Sequence, residues 1–313
     1  MRKNSSKQHG VNSLLNRSQS AMEYLMTYGW AILIIAIVLV ALFSLGIFNS
    51  SNFSPRAQPG SCEVLRNSAQ TSLVGQCNGM LPEYVAQFNG ASSAVTIANV
   101  VGMPQVSPGS LGKITITAWA LSFNSPVGVT QLNVVHYGGV ATCGTSDNDL
   151  EVMLRGSNPN EAYTIIQCSN ERMGGTATIA AGQWVFYATT FDGSNNIGDI
   201  GMNGQLYTGT IASGIANVIL QASAPLAIGQ SGPFDQYWNG YISNVQIYNA
   251  SLSNSSIQAL YKEGIGGAPI NVNNLMGWWP LNGNANDYSG NDNNGVPTNV
   301  TYTSAWTSGY SAP

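Results

Sequence analysis

Residues 183–191 read QWVFYATTF, a nearly unbroken apolar run between Gly182 and Gly193. Its length, its β-branched and aromatic content and its glycine borders read as a strand. Working outward, the same character returns in KITITAWALSF (113–123), QLNVVHYGGVAT (131–142), LEVMLRG (150–156), AYTIIQCS (162–169) and YISNVQIYNA (241–250). Gly, Asn and Pro separate them. Short strands spaced in this way over some 200 residues predict a mainly β, antiparallel sandwich. One helix interrupts the pattern. Ser253 can cap LSNSSIQALYKEG (252–264), with Ile257, Leu260 and Tyr261 on one face and Gly264 as the stop.

The N-terminus follows another pattern. Tyr24 to Phe48 form a charge-free apolar run of 25 residues, longer than the roughly 20 a bilayer-spanning helix needs. Arg2, Lys3, Lys7 and Arg17 precede it, and no basic residue follows until Arg56. The positive-inside bias therefore leaves a leader, 1–18, in the cytoplasm and the large C-terminal part outside. The run is too long for a cleaved secretory signal and ends in GIFNSSNF with no A-x-A site, so retention of the helix is expected. Small residues at 29, 31, 36, 41, 44 and 46 leave room for close helix contact.

At the start of this run, SQSAMEYL resembles the processing site of archaeal type IV pilin-like proteins, which carry a Q-x-S/A-x-E tag. The resemblance implies a class III signal peptide cut by a prepilin peptidase between Ser18 and Gln19, leaving an assembly helix over 19–48. Glu23 would then pair with the new amino terminus of a neighbouring pilin-like subunit. A carboxylate entering lipid is costly and is normally paired or functional, although the positive helix N-terminus also favours a negative charge there.

After such processing six basic residues face fourteen acidic ones, a net charge of −8. No basic stripe remains to hold phosphates, which argues against nucleic acid as a partner. Charged residues make up only 8% of the chain, a composition suited to a neutral, hydrogen-bonding exoprotein whose stability depends weakly on acid. Cys62, Cys77, Cys143 and Cys168 lie on the exported side with no C-x-x-C pair and no nearby His, which disfavours zinc. Of three possible pairings, proximity favours Cys62 with Cys77 and Cys143 with Cys168. Sequons mark Asn49, Asn52, Asn249, Asn254 and Asn299 as glycosylation candidates. Residues 49–82 read as a stalk containing the first cysteine loop.

The order of the strands resembles the laminin-G-like, concanavalin A-like lectin/glucanase jelly roll. EYVAQFNGASSAVTI (83–97) matches its opening strand pair and ITITAWALSF its aromatic core strand. GQWVFYATTFDGSNNIGDIGMNGQ (182–205) matches its W-x-x-x-A-x-x-x-D-G hairpin and N-G turn. LAIGQSGPFDQYWNGYISNVQIYNASLSNSSIQALY (226–261) supplies the closing strands and short helix, so the resemblance covers 83–267. LMGWWPLNGNANDYSGNDNNGVPTNVTY (275–302) resembles the segment that normally starts such a domain, yet it comes last. It is either the surplus start of a second domain or a permuted strand pair. A short fragment cannot bury Trp278, Trp279 and Leu281 alone. The segment 268–313 is therefore expected to close a sandwich, within the chain or donated to a neighbour.

In DNDLE, a strand would align Asp147, Asp149 and Glu151 superficially like the paired carboxylates of glucanases sharing this fold. Asp147 is one methylene shorter than the nucleophile required, and no catalytic residue is expected. His136, in LNVVHYGG, reads as a strand histidine. Lectin resemblance implies calcium and sugar held at loops. Asp287, Ser289 and Asn291 alternate like part of a calcium loop, and Asp235, Tyr237 and Trp238 would offer a ring for sugar stacking. Trp119, Trp184 and Trp238 also stand where this family uses aromatics as core. The reading is a pilin-like surface filament or membrane-anchored subunit displaying a lectin-like domain for adhesion to glycans. A membrane-anchored carbohydrate-active enzyme and a purely structural surface protein are the other readings.

Overall fold

The computed structural model describes residues 26, 28–44, 55–100, 112–124, 132–138, 150–155, 161–166, 171–174, 180–192, 197–209, 225–231 and 236–313. These fall into two compact units, Met1–Phe53 and Ser54–Pro313. In the first, residues 28–44 are helical, and Trp30, Ile34, Val40 and Phe43 are 58–69% exposed. A helix apolar on every side is suited to burial in other apolar matter. Among the described residues no helix is long and apolar enough to cross a membrane.

The second unit is an antiparallel sandwich. One sheet has the strand order Glu171–Gly174, Glu161–Ile166, Leu150–Arg155, Leu132–Tyr137, Leu226–Ile228, Ala94–Ile97, Val296–Thr298. The other runs Gln205–Gly209, Ile197–Met202, Trp184–Asp192, Lys113–Ser122, Asn239–Tyr248, Val85–Asn89, Thr301–Thr303, with Leu275–Trp279 also paired to Asn239–Tyr248. Side chains alternate across this second sheet as the pleat demands. Ile114, Ile116, Ala118, Val185, Tyr187 and Phe191 enter the core between the sheets, whereas Trp119, Leu121, Trp184, Phe186 and Ala188 enter a second core on the outer face. Because both faces are covered, these strands are apolar at almost every position.

Asn244 sits at φ 51, where the pairing of Asn239–Tyr248 with Lys113–Ser122 shifts register. This bulge keeps Ile242, Val245 and Ile247 all inward. The polar groups it turns outward satisfy one another. Asn244 Nδ2 donates to Gly267 O at 2.8 Å, Gln246 Nε2 donates to Asn244 Oδ1 at 2.9 Å, and Tyr248 O–H donates to Gln246 Oε1 at 2.6 Å.

The C-terminal segment pairs with strands of its own chain. Leu275–Trp279 lies against Asn239–Tyr248, Val296–Thr298 against Ala94–Ile97, and Thr301–Thr303 against Val85–Asn89. It thereby contributes to both sheets, and Trp279 and Leu281 are fully buried in the inner core.

The stalk expected over 49–82 is corrected from Pro55 onward. Arg56–Ala57 pairs with Leu81–Pro82, and Cys62–Arg66 forms a hairpin with Thr71–Gly75 that the Cys62–Cys77 disulfide closes. Val64 is buried in the outer core, and its N–H donates to Tyr288 O at 2.8 Å. The Arg66 guanidinium donates to Ser289 O, Leu275 O and Val272 O at 2.6–3.1 Å. Three backbone carbonyls satisfied by one planar fork hold the hairpin against the sandwich.

Candidate functional site

Trp119 stands near the middle of Lys113–Ser122 and faces outward, opposite Phe186 on the neighbouring strand; their ring centroids lie 5.4 Å apart. Three further segments build walls around it. The first is the helix Asn254–Glu263. Ser253 caps it by accepting the Ser256 N–H, and Ile257 and Leu260 anchor its buried face. Tyr261, one position on, lays its ring on Trp119 at 5.7 Å and 20°.

The second wall is the Asn203–Gly204 turn between Ile197–Met202 and Gln205–Gly209, with φ 49 and 78, the paired positive values of a two-residue hairpin. Asn203 N–H donates to Phe186 O, and its Oδ1 accepts the Phe186 N–H at 3.0 Å, fixing the turn over the sheet. Gly204 approaches the Tyr261 ring so closely that a Cβ would meet Cδ1 at 2.8 Å. The third wall is the C-terminal tail. Trp184 N–H donates to Gly309 O at 3.1 Å, Trp184 Nε1 donates to Trp306 O at 2.9 Å, and Tyr310 meets Trp119 edge-on at 5.7 Å. Tyr310 Oη accepts the Ile265 N–H at 3.2 Å, so its own proton is free to be donated. Burial pushes the Tyr310 phenol above its ordinary pKa, so it keeps that proton at neutral pH.

Trp119, Trp184, Tyr261 and Tyr310, with Gln183, Asn203, Gly309 and Ser311, line a cleft of about 410 Å³. That is the size of a small-molecule site. Trp119 is 2% exposed, and among the described residues its indole N–H has no hydrogen-bond partner. A buried donor left unmade costs about 1–3 kcal/mol. Among the described residues, no Asp, Glu, Lys, Arg or His lines the cleft. A smaller void of about 40 Å³ lies beside the hairpin, between Cys62, Trp278 and Asn282, with room for little more than water.

The residues singled out in the sequence are placed differently. Trp238 is fully buried in the inner core and donates from Nε1 to Tyr241 O at 3.1 Å. The expectation that its ring stacks on sugar is corrected, because no face of it reaches solvent. Tyr237 is half-buried, with its hydroxyl accepting from Gln230 Nε2.

Asp287, Ser289 and Asn291 act as a clip. Asp287 Oδ1 accepts the N–H groups of Trp278 and Ser289, and Oδ2 accepts the Ser289 hydroxyl and the Asn293 N–H, all at 2.8–2.9 Å. Asn291 Nδ2 donates to Leu275 O and Met276 O. These bonds tie the loop to its strand, and among the described residues no cluster of three His, Cys, Asp or Glu is suited to a metal.

Asn249, Asn254 and Asn299 are exposed, and His136 is buried in its strand. Glu151 lies on Leu150–Arg155, paired in register with His136. Ser18, Gln19, Glu23, Asn49, Asn52, Cys143, Asp147, Asp149, Cys168 and Asp235 lie outside the described residues. The residues of the cleft carried no motif. The N-G turn and the tyrosine on the helix face were the signals that could have pointed to it.

A two-sheet antiparallel sandwich with a loop-walled aromatic cleft on one outer face defines the class. Residues 89–258 match the model of the concanavalin A-like lectin/glucanases superfamily, and the chain belongs to that family. No curated protein matches the chain. Among solved structures, it resembles a protein from Bacteroides ovatus ATCC 8483 described provisionally as carbohydrate binding. That similarity has a TM-score of 0.52 at 13% identity over 75% of this chain and 66% of that one. It also resembles the native heptameric SAP-like pentraxin from Limulus polyphemus, with a TM-score of 0.48 at 13% identity over 70% of this chain and 94% of that one. At these identities the likeness is one of fold.

Proposed function

We propose that the sandwich is a non-catalytic carbohydrate-binding domain, displayed at the cell surface by the N-terminal apolar helix in a pilin-like subunit. The observation that carries the binding half is the outer cleft. It joins the half-buried Tyr261 ring, which suits the C–H face of a sugar, to the exposed amides of Gln183 and Asn203, which suit its hydroxyls. Glycoside cleavage calls for two carboxylates about the bond to be broken, and among the described residues the cleft lining contains neither Asp nor Glu. Family membership supports the same reading.

The display half rests on the N-terminal sequence. The charge-free run 24–48, the basic leader and the SQSAMEYL tag support a retained helix, cut between Ser18 and Gln19 and packed through Glu23 against other subunits. Two measurements test the proposal. Glycan-array binding of the full chain is expected to give specific hits, and an array with none removes the adhesin reading in favour of a purely structural subunit. N-terminal sequencing of the native protein is expected to start at Gln19, and a start at Met1 removes the pilin-like processing.

A further inference from the structure

We infer that Asn299 carries an N-linked glycan, and that this glycan covers the open sheet edge formed by Val296–Thr298 and Thr301–Thr303. The inference rests on the surface half of the proposed function, because the sequon acts on exported chains, and it is independent of the cleft.

Three sequons lie among the described residues, and the fold treats them differently. Asn249 Oδ1 accepts from Asn274 Nδ2 at 3.0 Å, and Ser251, two residues on, is half-buried. Asn254 opens the helix Asn254–Glu263, where Ser256 is half-buried and its N–H is held by the Ser253 cap. At the third sequon both Asn299 and Thr301 are exposed. Asn299 sits at φ 49 in the turn between the two strands, and its backbone oxygen accepts the Ser93 hydroxyl at 2.6 Å, which fixes the turn. Its Nδ2 reaches Ser92 Oγ at 3.2 Å in an exposed contact. A left-handed turn favours asparagine in its own right; the edge beside it gives a glycan a use.

Among the described residues, Val296–Thr298 and Thr301–Thr303 end the two sheets on one side. Such edges invite pairing with another chain, and proteins blunt them with charge, proline or a cover. Pro297 removes one donor from the first strand. No Asp, Glu, Lys or Arg occurs from Asn293 to Pro313, and Val296 is 67% exposed. A bulky, solubilising glycan on the turn that joins both strands supplies the cover that charge does not. In its transfer, Asn299 Nδ2 bonds to the anomeric carbon of a phosphate-activated sugar as the bond from that carbon to the phosphate oxygen breaks. One Nδ2 proton leaves with the phosphate, and nothing is oxidised or reduced.

Trypsin cuts after Lys262 and meets no later Lys or Arg, so 263–313 leaves as one peptide whose single sequon is at Asn299. Taken from the protein of native cells, this peptide is expected to exceed its sequence mass by one or more sugars, and an unmodified peptide overturns the inference. A membrane-impermeant amine reagent on intact cells separates that failure from failure of the surface reading. Labelling of exposed Lys262 keeps the surface reading, and an unlabelled Lys262 overturns it as well. Thr301→Ser keeps the hydroxyl and should keep the sugar, whereas Thr301→Ala should lose it. Sedimentation of the full chains in detergent should then move Thr301→Ala alone to larger species, since all three share the N-terminal helix. Loss of the sugar without that shift overturns the covering role. A sugar retained by Thr301→Ala overturns the assignment to Asn299.

Discussion

Between the sheets, the sandwich packs mostly branched aliphatic side chains, Ile114, Ile116, Val134, Ile228, Ile242, Val245 and Ile247 among them, on strands joined by long ladders with one bulge at Asn244. On the outer face of the eight-stranded sheet the material is different. Trp119, Trp184, Phe186, Tyr261, Trp306 and Tyr310 meet there from segments far apart in the chain, and their rings approach at angles from stacked to perpendicular. Aliphatic side chains interdigitate to crystal-like density. Large rigid rings brought together by loops leave gaps and stranded donors. The inner layer therefore specifies the sandwich, and the outer layer provides room for a ligand.

The most severe way to break this comparison is to remove what serves both layers. Deleting every residue after Gly267 takes away a partner of Asn239–Tyr248, the strands beside Ala94–Ile97 and Val85–Asn89, and the buried rings of Trp278, Trp279 and Trp306. Exposed sheet edges invite aggregation, and several buried side chains at about 1.5–3 kcal/mol each approach the whole stability of a domain. The truncated chain is expected to be insoluble or largely unfolded by circular dichroism. A soluble truncation with an unchanged melting temperature would make the segment dispensable.

A finer cut separates the layers. Trp279→Ala empties a fully buried site in the inner core and strips the Asn293 carbonyl of its donor, so a loss of about 3–5 kcal/mol is expected in denaturant unfolding. Trp306→Ala removes an equally buried ring from the outer core, where it lies under the Arg56 guanidinium at 4.9 Å. The tail that carries Trp306 can open locally while the sheets stay folded. Its global loss should therefore be smaller, with faster amide exchange confined to 304–313. Equal losses at the two positions would merge the layers into one cooperative unit.

The same division explains what was legible in the sequence. Strands such as Trp184–Asp192 were visible because apolar length and glycine borders mark them, whichever face each residue takes. The face itself was not visible. Trp119 and Trp238 are alike in local sequence signal, yet one lines a cleft and the other fills the inner core. The hairpin at Cys62–Gly75 read as a stalk because Val64 is its one buried apolar side chain, and because Arg66 and the Val64 N–H bind backbone carbonyls, which leave no trace in residue type. The cleft needs residues 119, 183, 203, 261 and 310 together, an assembly that only the folded topology supplies.

Reducing the disulfide probes the outer layer from its other end. Replacing both Cys62 and Cys77 by Ser opens a link spanning 15 residues, worth about 3 kcal/mol in the chain-entropy model. That loss should fall on the hairpin, whose other attachments are Val64 and the Arg66 fork. Amide exchange over 62–75 is expected to accelerate, while the sheet core keeps its protection. Loss of protection in Lys113–Ser122 would mean that the hairpin supports the inner core as well.

The smallest effect sharpens the comparison at the seam where the C-terminal loop meets the strand carrying Trp278 outward and Trp279 inward. Asp287 receives two donors on each carboxylate oxygen. Asp287→Asn keeps one accepting oxygen and turns an NH₂ toward donors, leaving two of them unmatched on a half-buried loop. A cost of roughly 1–3 kcal/mol is expected, read as a lowered melting temperature. Because the four donors come from the protein, calcium should add nothing: millimolar calcium and its removal by chelator are expected to give the same melting temperature. A ligand that binds only the folded state raises stability with its concentration. A rise with calcium that the Asn variant abolishes would therefore recast this clip as a cation site.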